Sequence, residues 1–233
     1  MAKPQSPASN PQSPIPGPLK EGIMFITIEG PDGGGKTTQM NMLVPALEGQ
    51  GLGIVRTREP GGTDIGDQIR SVIMNMKNKS MDPRAEILLF CASRAQLVAE
   101  LIRPSLAAGK IVLCDRYADS TMEYQGYGHG LDRVALNHLL EFATGGLKPD
   151  LTLLLDISAE AGLKRRLTNH DEWNRMDDYA LQFHERVRNG YLEMAAAEPE
   201  RFVVVNADRP IEEDHEEIFA VVLEKIRNKY YHL

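Results

Sequence analysis

The feature that most constrains this fold is a glycine-rich octapeptide, Gly30–Thr37, placed between an apolar strand-like run and a helical pattern. Its spacing, G-x-x-x-x-G-K-T, is that of a loop whose backbone N–H groups cradle phosphate oxygens at a helix N-terminus. In such a loop the Lys36 ammonium reaches the β- and γ-phosphates of a nucleoside triphosphate, and the Thr37 hydroxyl can ligate magnesium. An ordinary glycine turn would not explain the Lys–Thr pair at this position. The octapeptide therefore predicts phosphate binding on an α/β scaffold.

Apolar, β-rich runs alternate with helical patterns along the rest of the chain. The runs are Met24–Ile28, Gly53–Thr57, Lys110–Cys114, Leu151–Leu155 and Phe202–Val205. Because they are continuously apolar and separated by helices, they predict a parallel sheet with helices on both faces. The fold class is therefore α/β, a doubly wound five-stranded parallel sheet of the P-loop NTPase type. In such a sheet ligands gather at the carboxyl ends of the strands.

The helical patterns carry their own boundary signals. The first, Thr38–Leu47, contains Pro45, which predicts a kink or a shortened helix. A long helix is expected from the Asp82–Pro83 cap to Gly109, with a bend at Pro104. Further helices are predicted around Ile65–Met76, over Leu131–Ala143, after the Ser158 cap and over Ile211–Lys229.

Bulk properties bound the class of protein. Of the 233 residues, 1–20 are rich in Pro, Ser and Gln and predict a disordered tail, which leaves residues 21–233 as one domain. The net charge of −7 argues against nonspecific nucleic-acid binding, so a phosphate site needs locally concentrated Arg and Lys. Cys91 and Cys114 are expected to be buried, reduced thiols of a cytoplasmic protein. No membrane-spanning segment or secretory signal is expected.

Charged side chains stand where two of the predicted strands end. Asp115 and Arg116 follow the third strand, where a carboxylate suits magnesium or its water shell and a guanidinium can bridge phosphates. The alternative for this pair is a surface ion pair. Arg58 ends the second strand and is stiffened by Pro60, so it either holds an acceptor phosphate or is a solvated arginine in a Pro-Gly turn.

Two helical segments supply the remaining candidates. Phe90 and Arg94 are four residues apart on the long helix, so a ring and a guanidinium can stack on a nucleobase and bond its carbonyl. The alternative for Phe90 is a core position. The basic segment at about residues 165–177 is either a lid that delivers arginines to a transferring phosphoryl group or a solvated basic helix.

Together these motifs resemble those of the thymidylate kinases of the bacterial type. The resemblance covers the chain from Ile23 to its C-terminus and rests on motifs in the family's order. They are Glu29–Thr38, Arg58–Thr63, Leu88–Arg94, Asp115–Tyr117 with Ser120–Thr121, and Tyr124–Gly126. The resemblance implies transfer of the ATP γ-phosphoryl group to dTMP, giving dTDP and ADP, with magnesium, in dTTP biosynthesis. It also implies a homodimer formed through apolar helices, to which the helix Asp82–Ala108 would contribute.

The same resemblance implies a set of site residues. ATP would be bound by Gly30, Pro31, Asp32, Gly33, Gly34, Gly35, Lys36, Thr37 and Thr38. The acceptor dTMP would be bound by Asp32, Arg58, Phe90, Arg94, Arg116, Thr121, Tyr124 and Gln125. Magnesium would be held by Thr37 and Asp115. The catalytic residues would be Lys36, Asp32, Arg58, Arg116 and Asp115, joined by a lid arginine, Arg166 or Arg175, because the phosphate loop itself contains no arginine.

Three other functions remain open at this point. The nearest is another nucleoside- or nucleotide-monophosphate kinase of the same fold, which substrate selectivity would separate. A nucleotide-hydrolysing switch or motor is less favoured, because Asn78–Met81 misses the guanine-reading Asn-Lys-x-Asp pattern by one position. A phosphate-loop module without catalysis would bind nucleotide and release no ADP with any acceptor. The intact Lys36, Thr37, Asp115 and Arg116 argue against it.

Overall fold

The computed structural model describes residues 24–168, 175–177 and 179–231. The proposed tail and residues 169–174 of the proposed lid lie outside these ranges. The described residues contain one five-stranded sheet whose strands are all parallel, in the order β2-β3-β1-β4-β5. The strands are β1 (Met24–Glu29), β2 (Ile54–Arg58), β3 (Ile111–Asp115), β4 (Leu151–Asp156) and β5 (Phe202–Asn206). The predicted fold class is confirmed, and β1 lies at the point where the chain crosses from one half of the sheet to the other.

Nine α-helical segments surround the sheet in the described part of the chain. They are α1 (Lys36–Glu48), α2 (Asp64–Met74), α3 (Pro83–Leu97), α4 (Arg103–Ala107), α5 (Ala118–Thr121), α6 (Arg133–Thr144), α7 (Ala159–Thr168), α8 (Leu181–Ala197) and α9 (Ile211–Tyr231). A π-helical turn, Val98–Ile102, joins α3 to α4, and a second, Met122–Gly128, follows α5. None of the described helices is both long and apolar enough to span a bilayer.

Each strand buries alternate side chains on opposite faces of the sheet. On one face, Ile26 and Ile28 of β1 belong to a cluster with α1 and α9. On the other face, Phe25 packs with Leu97, the π-helical turn before α4 and Tyr117. A further cluster on that second side packs α8 against β4 and β5. Since both faces are covered, only the ends of the strands remain open to ligands.

The two prolines inside predicted helices have different outcomes. The helix α1 runs through Pro45 to Glu48, so it is not shortened. Before Pro104 the helix widens into the π-helical turn, in which the Arg103 amide donates to the carbonyl of Val98 five residues earlier. A proline cannot donate to the carbonyl four residues before it, and π-turns are one way in which a helix accommodates such a break. Both Cys91 and Cys114 are buried and free, as expected.

Candidate active site

A cavity of about 620 Å³ opens at the carboxyl ends of β1, β2 and β3. Fifteen of the residues predicted for the site line it. They are Asp32, Gly33, Gly35, Lys36, Thr37, Thr38, Arg58, Phe90, Arg94, Asp115, Arg116, Thr121, Tyr124, Gln125 and Arg166. Gly30, Pro31 and Gly34 belong to the same loop but are not among the lining residues, and neither is Arg175. Residues from six separate elements and their connections thus meet at one edge of the sheet.

The phosphate loop needs glycine where it meets its neighbours. Gly30 has φ 134°, and a Cβ there would lie 2.4 Å from the carbonyl oxygen of Leu155 at the end of β4. Gly33 has φ 78°, and its Cβ would lie 2.1 Å from the carbonyl oxygen of Gly162 in α7. No other residue has both the backbone freedom and the missing side chain that these contacts demand. The loop is therefore held between β4 and α7.

Lys36 is buried at the start of α1, beneath the loop. Its ammonium donates to the carbonyl oxygens of Gly30 at 3.0 Å and Pro31 at 2.7 Å. Desolvation by burial, aided by the nearby Arg116, lowers the pKa of Lys36 to about 8. A charged ammonium in such a place is poised to gain an anionic partner.

Thr37 and Asp115 present two oxygen ligands side by side. The Thr37 hydroxyl donates to Asp115 Oδ2 at 3.1 Å, and both residues line the cavity. Hydroxyl and carboxylate oxygens suit magnesium, which commonly takes only one or two protein ligands and fills its shell with water and phosphate oxygens. Among the described residues no group of three or more His, Cys, Asp or Glu side chains forms a metal site. The pair therefore fits a nucleotide-bound magnesium ion better than a protein-caged one.

Arg116 lines the cavity and has an unusual backbone conformation. Its φ is 69°, the left-handed region, which costs a residue with a side chain on the order of 1 kcal/mol. Its guanidinium donates to Asp32 Oδ1 at 2.6 Å and to the Tyr124 hydroxyl at 3.1 Å. The Tyr124 hydroxyl in turn donates to Asp32 Oδ2 at 2.6 Å. Arg116 thus pairs with the phosphate loop, not with a partner on the outer surface.

The charge of Asp32 is stabilised by this arrangement. Burial alone would raise the pKa of Asp32, but Arg116, Lys36 and the Tyr124 hydrogen bond outweigh it and hold the pKa well below its usual range. Asp32 is therefore an ionised acceptor at neutral pH.

The buried Glu29 stabilises the left-handed backbone of Arg116 through hydrogen bonds to the residues that follow it. Its carboxylate accepts from the Tyr117 amide at 2.7 Å, from the Ser120 hydroxyl at 2.6 Å and from the Tyr191 hydroxyl at 2.9 Å. Burial, reinforced by the nearby charge of Asp119, raises the pKa of Glu29 to about 7. Three hydrogen bonds to one buried carboxylate can offset the cost of the left-handed residue.

Arg94 also lines the cavity, and it is buried yet keeps one donor unused. Its Nε donates to Glu59 at 2.8 Å, and its Nη2 donates to the Tyr117 carbonyl and the Thr121 hydroxyl, each at 3.0 Å. Its Nη1 has no hydrogen-bond partner among the described residues. A buried donor left unsatisfied is costly, so a ligand acceptor is the natural partner. Phe90, half-buried on the same helix, lines the cavity beside it.

Besides Glu59, the partner of Arg94, two charged residues in or next to the cavity were not predicted from the sequence. Arg70 on α2 lines the cavity, and its guanidinium donates to the Pro60 carbonyl at 3.0 Å. Desolvation and the charge of Arg58 lower the pKa of Arg70, so the two cations lie close together. The spacing of Asp67 and Arg70, three residues apart on one helix face, was the available signal. The second residue, Glu86, accepts from Gln125 at 2.6 Å and forms an ion pair with Arg175.

The described part of the proposed lid lies against the loop. Arg165 and Arg166 of α7 both line the cavity. The Arg165 guanidinium donates to the carbonyl of Ala207 at 2.8 Å. Arg166 forms a two-pronged pair with Asp177, at 3.0 and 2.6 Å. Arg175, in contrast, is buried in its pair with Glu86 and would have to leave it to enter the cavity.

Comparison with known proteins matches the chain to thymidylate kinases. The family model described as thymidylate kinase matches residues 28–218. A thymidylate kinase of Roseiflexus sp. (strain RS-1) is 50% identical over 210 residues, covering 85% of this chain and 93% of the relative. One of Bacillus pumilus is 45% identical, covering 88% and 97%. A crystal structure of thymidylate kinase from Ehrlichia chaffeensis superposes with a TM-score of 0.70 at 35% identity, covering 85% of this chain and 98% of that one.

Proposed function

The chain belongs to the thymidylate kinase family and is therefore a phosphotransferase, and we propose that its cavity transfers the γ-phosphoryl group of ATP to dTMP, giving dTDP and ADP. The observation that carries the proposal is the convergence of a phosphate loop, a cluster of arginines and a base pocket in one cavity. Phosphoryl transfer needs little covalent chemistry from a protein, so positioning and charge neutralisation are what this arrangement must supply. The product's place is in dTTP biosynthesis.

The loop Gly30–Thr38 would bind the phosphates of ATP, the phosphoryl donor. Its backbone amides and the N-terminus of α1 face the triphosphate, and the Lys36 ammonium exchanges the carbonyls of Gly30 and Pro31 for phosphate oxygens. Magnesium would be held by Thr37 and Asp115, and when bound it neutralises phosphate charge as the γ-phosphoryl group leaves.

The arginines that line the cavity would bind the phosphoryl acceptor. Arg116 and Arg58 hold the dTMP phosphate, and Arg70 adds a third positive charge close to Arg58. Asp32 accepts a hydrogen bond from the sugar 3′-hydroxyl, for which its ionised state is suited. Tyr124, fixed on Asp32, closes the space beside the sugar C2′ and so disfavours ribonucleotides.

The base would lie against Phe90 and Arg94 of α3. Phe90 stacks on thymine, and the unused Nη1 of Arg94 donates to a base carbonyl. Thr121 and Gln125 line the same pocket. A buried donor waiting for an acceptor penalises any base that presents a donor there, which is how such sites discriminate.

The lid arginine is Arg166 in this proposal. It lines the cavity beside the loop, whereas Arg175 is held by Glu86. Arg166 would act on the transferring phosphoryl group in the way arginine fingers do, by stabilising charge in the transition state. Its pair with Asp177 orients the guanidinium without removing it from the cavity wall.

We also propose that the protein forms a homodimer and is located in the cytoplasm. Six of the large apolar side chains that are exposed lie on α2, α3 and α6, where α2 packs on α3 and α3 on α6. Such a surface suits a homodimer interface formed through apolar helices. A cytoplasmic location fits an enzyme that consumes ATP and carries two free cysteines.

The test is magnesium-dependent ADP release from ATP with dTMP, dUMP, dCMP, AMP and GMP offered in turn. The expected result is strong stimulation by dTMP and a large loss on chelation of magnesium. The Lys36→Ala variant serves as the control, since it should lose most activity while it keeps its fold and its dTMP affinity. Stimulation by another monophosphate alone would overturn the pocket assignment, and no stimulation by any would overturn the reaction.

A further inference from the structure

We propose that Glu86 is a specificity-determining positioning residue, which fixes the side-chain amide of Gln125 so that a hydrogen-bond acceptor faces the base. The inference rests on the proposed function, because it explains how the base of the acceptor nucleotide is read. It predicts preference for bases that carry a ring N–H beside a carbonyl, as thymine and uracil do, over cytosine.

Both carboxylate oxygens of Glu86 accept hydrogen bonds from other side chains. Glu86 lies on α3 and is 1% exposed. Its Oε1 accepts from Nε2 of Gln125 at 2.6 Å, and its Oε2 accepts from Nη2 of Arg175. Gln125 lies 39 residues and Arg175 lies 89 residues after Glu86 in the sequence, so the tertiary fold brings the three together.

The chemistry of the pair dictates the orientation of Gln125. A carboxylate paired with a guanidinium is ionised and can only accept hydrogen bonds. Only the NH₂ end of the Gln125 amide can therefore face Glu86. The amide oxygen Oε1 is left over, and no donor within the described residues binds it. Because Gln125 lines the cavity, this oxygen is the group the pocket has available for a ligand.

The guanidinium that pairs with Glu86 is itself held by further hydrogen bonds. Nε of Arg175 donates to the Ile73 carbonyl at 2.9 Å, and Nη1 donates to the Tyr179 hydroxyl at 3.2 Å. His129 Nε2 lies 3.7 Å from Glu86 Oε1, and burial lowers the pKa of His129, so it adds no second cation at neutral pH. Without Glu86, an isolated amide could turn by 180° and present either its oxygen or its nitrogen.

Donor and acceptor then stand together in the base pocket. Arg94 supplies the free donor Nη1, and its Nη2 is tied to Thr121, one helical turn before Gln125. The pocket thus offers one donor and one acceptor, which matches a carbonyl next to a ring N–H. Cytosine presents a lone pair at its ring N3, which would face the Gln125 oxygen and leave it unpaired.

The experiment compares Glu86→Gln with Glu86→Asp. The readout is the ratio of kcat/KM for dTMP to that for dCMP. Glu86→Gln keeps the shape of the side chain but can donate as well as accept, so the ratio should fall by about tenfold or more. Glu86→Asp keeps an acceptor-only group, so the ratio should stay close to that of the wild type even where both rates fall. KM for ATP should not change in either variant.

A purely structural role for Glu86 predicts the reverse order, because Asp leaves a gap of one methylene while Gln does not. Glu100→Gln, which removes an exposed carboxylate that bonds Gln96, is the control and should keep the ratio. A wild-type ratio in Glu86→Gln, or an equal fall in both variants, would overturn the proposal. If Glu86→Gln does not fold, Gln125→Met should lower the ratio in its place, and an unchanged ratio there is equally decisive. Failure of the wild type to use dTMP would instead refute the proposed function.

Discussion

At the scale of single residues, the site consists of buried charges that hold one another in place. Arg116 keeps a left-handed backbone because Glu29 bonds the next amide, and its guanidinium keeps Asp32 ionised. Each of these groups would be costly alone in the interior. Arg94 differs, because its Nη1 is left without a partner in the described part of the chain and is available to a ligand. Arg116, Asp32 and Tyr124, all proposed to contact ligand, are thus positioned largely by one another.

A substitution of the half-buried Phe90 tests whether its ring contacts the ligand or serves only the core. We expect Phe90→Ala to weaken dTMP binding by roughly 5- to 150-fold, the range of lost base–aromatic stacking, with little change in ATP binding. Isothermal titration with each nucleotide measures this. Leu89→Ala, a neighbour on α3 that does not line the cavity, is the matched control. Equal losses of dTMP and ATP affinity in Phe90→Ala would mean that the ring serves the core.

Glu123 gives a prediction about stability and pH. Its side chain is 0% exposed, and neither carboxylate oxygen has a hydrogen-bond partner within the described residues. Burial, followed by the charges of Asp119 and Glu29, raises the pKa of Glu123 to about 9. The folded state therefore keeps this proton between pH 4.5 and 9 while the unfolded state loses it. Stability is lost as pH rises through that window, by up to about 1.4 kcal/mol per pH unit.

Glu123→Gln removes this titration. The variant should be more stable than the wild type at pH 8, and the difference in free energy of unfolding should shrink toward pH 5. Denaturant unfolding at a series of pH values measures it. Glu185→Gln, on the exposed side of α8, controls for the loss of one negative charge. A difference that stays constant from pH 5 to pH 8 would show that Glu123 is ionised in the folded protein.

At the scale of elements, the contact between α7 and the phosphate loop brings Arg165 and Arg166 to the cavity. A Cβ on Gly162 would lie 2.3 Å from the Asp32 carbonyl oxygen. In most helices Gly→Ala stabilises by up to about 1 kcal/mol. Here we expect Gly162→Ala to destabilise the protein and lower kcat, because α7 must move away from the loop. Thermal unfolding and ADP release measure both effects.

Gly53→Ala is the control for this substitution, since its Cβ would meet only the Lys110 side chain at an ordinary 3.8 Å. It should leave melting temperature and activity close to those of the wild type. A stabilised Gly162→Ala with full activity would show that the loop and α7 tolerate separation.

The strands could be predicted from the sequence, whereas several helices and pairings could not. A continuous apolar run such as Leu151–Leu155 is diagnostic because both of its faces are buried. The order of the strands in the sheet could not be predicted, because strands that are apolar on both faces carry no signal for which strand lies next to which. The helix α8 was missed although Phe183, Val187, Tyr191 and Ala195 are buried at four-residue intervals. A polar sequence elsewhere on that helix weakened the pattern.

The residues of the candidate site also fall into those that could be predicted from the sequence and those that could not. Loop and strand-end residues such as Lys36 and Asp115 could be predicted, because local spacing fixes where they lie. Glu86 could not, since its role comes from partners brought together by the tertiary fold. Arg175 was named from the sequence, but its surroundings could not be predicted. Its position in a basic segment suggested a lid arginine, which stays a prediction, and in the folded chain Arg175 pairs with Glu86 and is not among the residues that line the cavity.

At the scale of the whole molecule, charge and apolar surface are unevenly distributed. A chain with a net charge of −7 concentrates arginines and a lysine around one cavity, which favours anionic substrates there and not elsewhere. Its exposed apolar side chains gather on α2, α3 and α6, with Phe142 88% and Leu88 56% exposed. Of these helices, α2 and α3 contribute part of the cavity wall, including Arg70 and Phe90, whereas α6 contributes none of the lining residues. We propose that a second copy of the chain covers the exposed apolar side chains.

The proposed homodimer gives the last prediction. Sedimentation of the wild type should give twice the 25.9 kDa mass of one chain. Leu88→Glu places a charge on the apolar surface of α3 and should shift the mass toward that of a single chain, because desolvating an unpaired carboxylate at an interface is costly. Ile211→Glu is the control, a similarly exposed apolar residue (49%) in the first turn of α9, where a carboxylate is favourable. It should leave the mass unchanged. A wild type that sediments as one chain at micromolar concentration, or a Leu88→Glu variant that stays dimeric, would move the interface elsewhere or remove it.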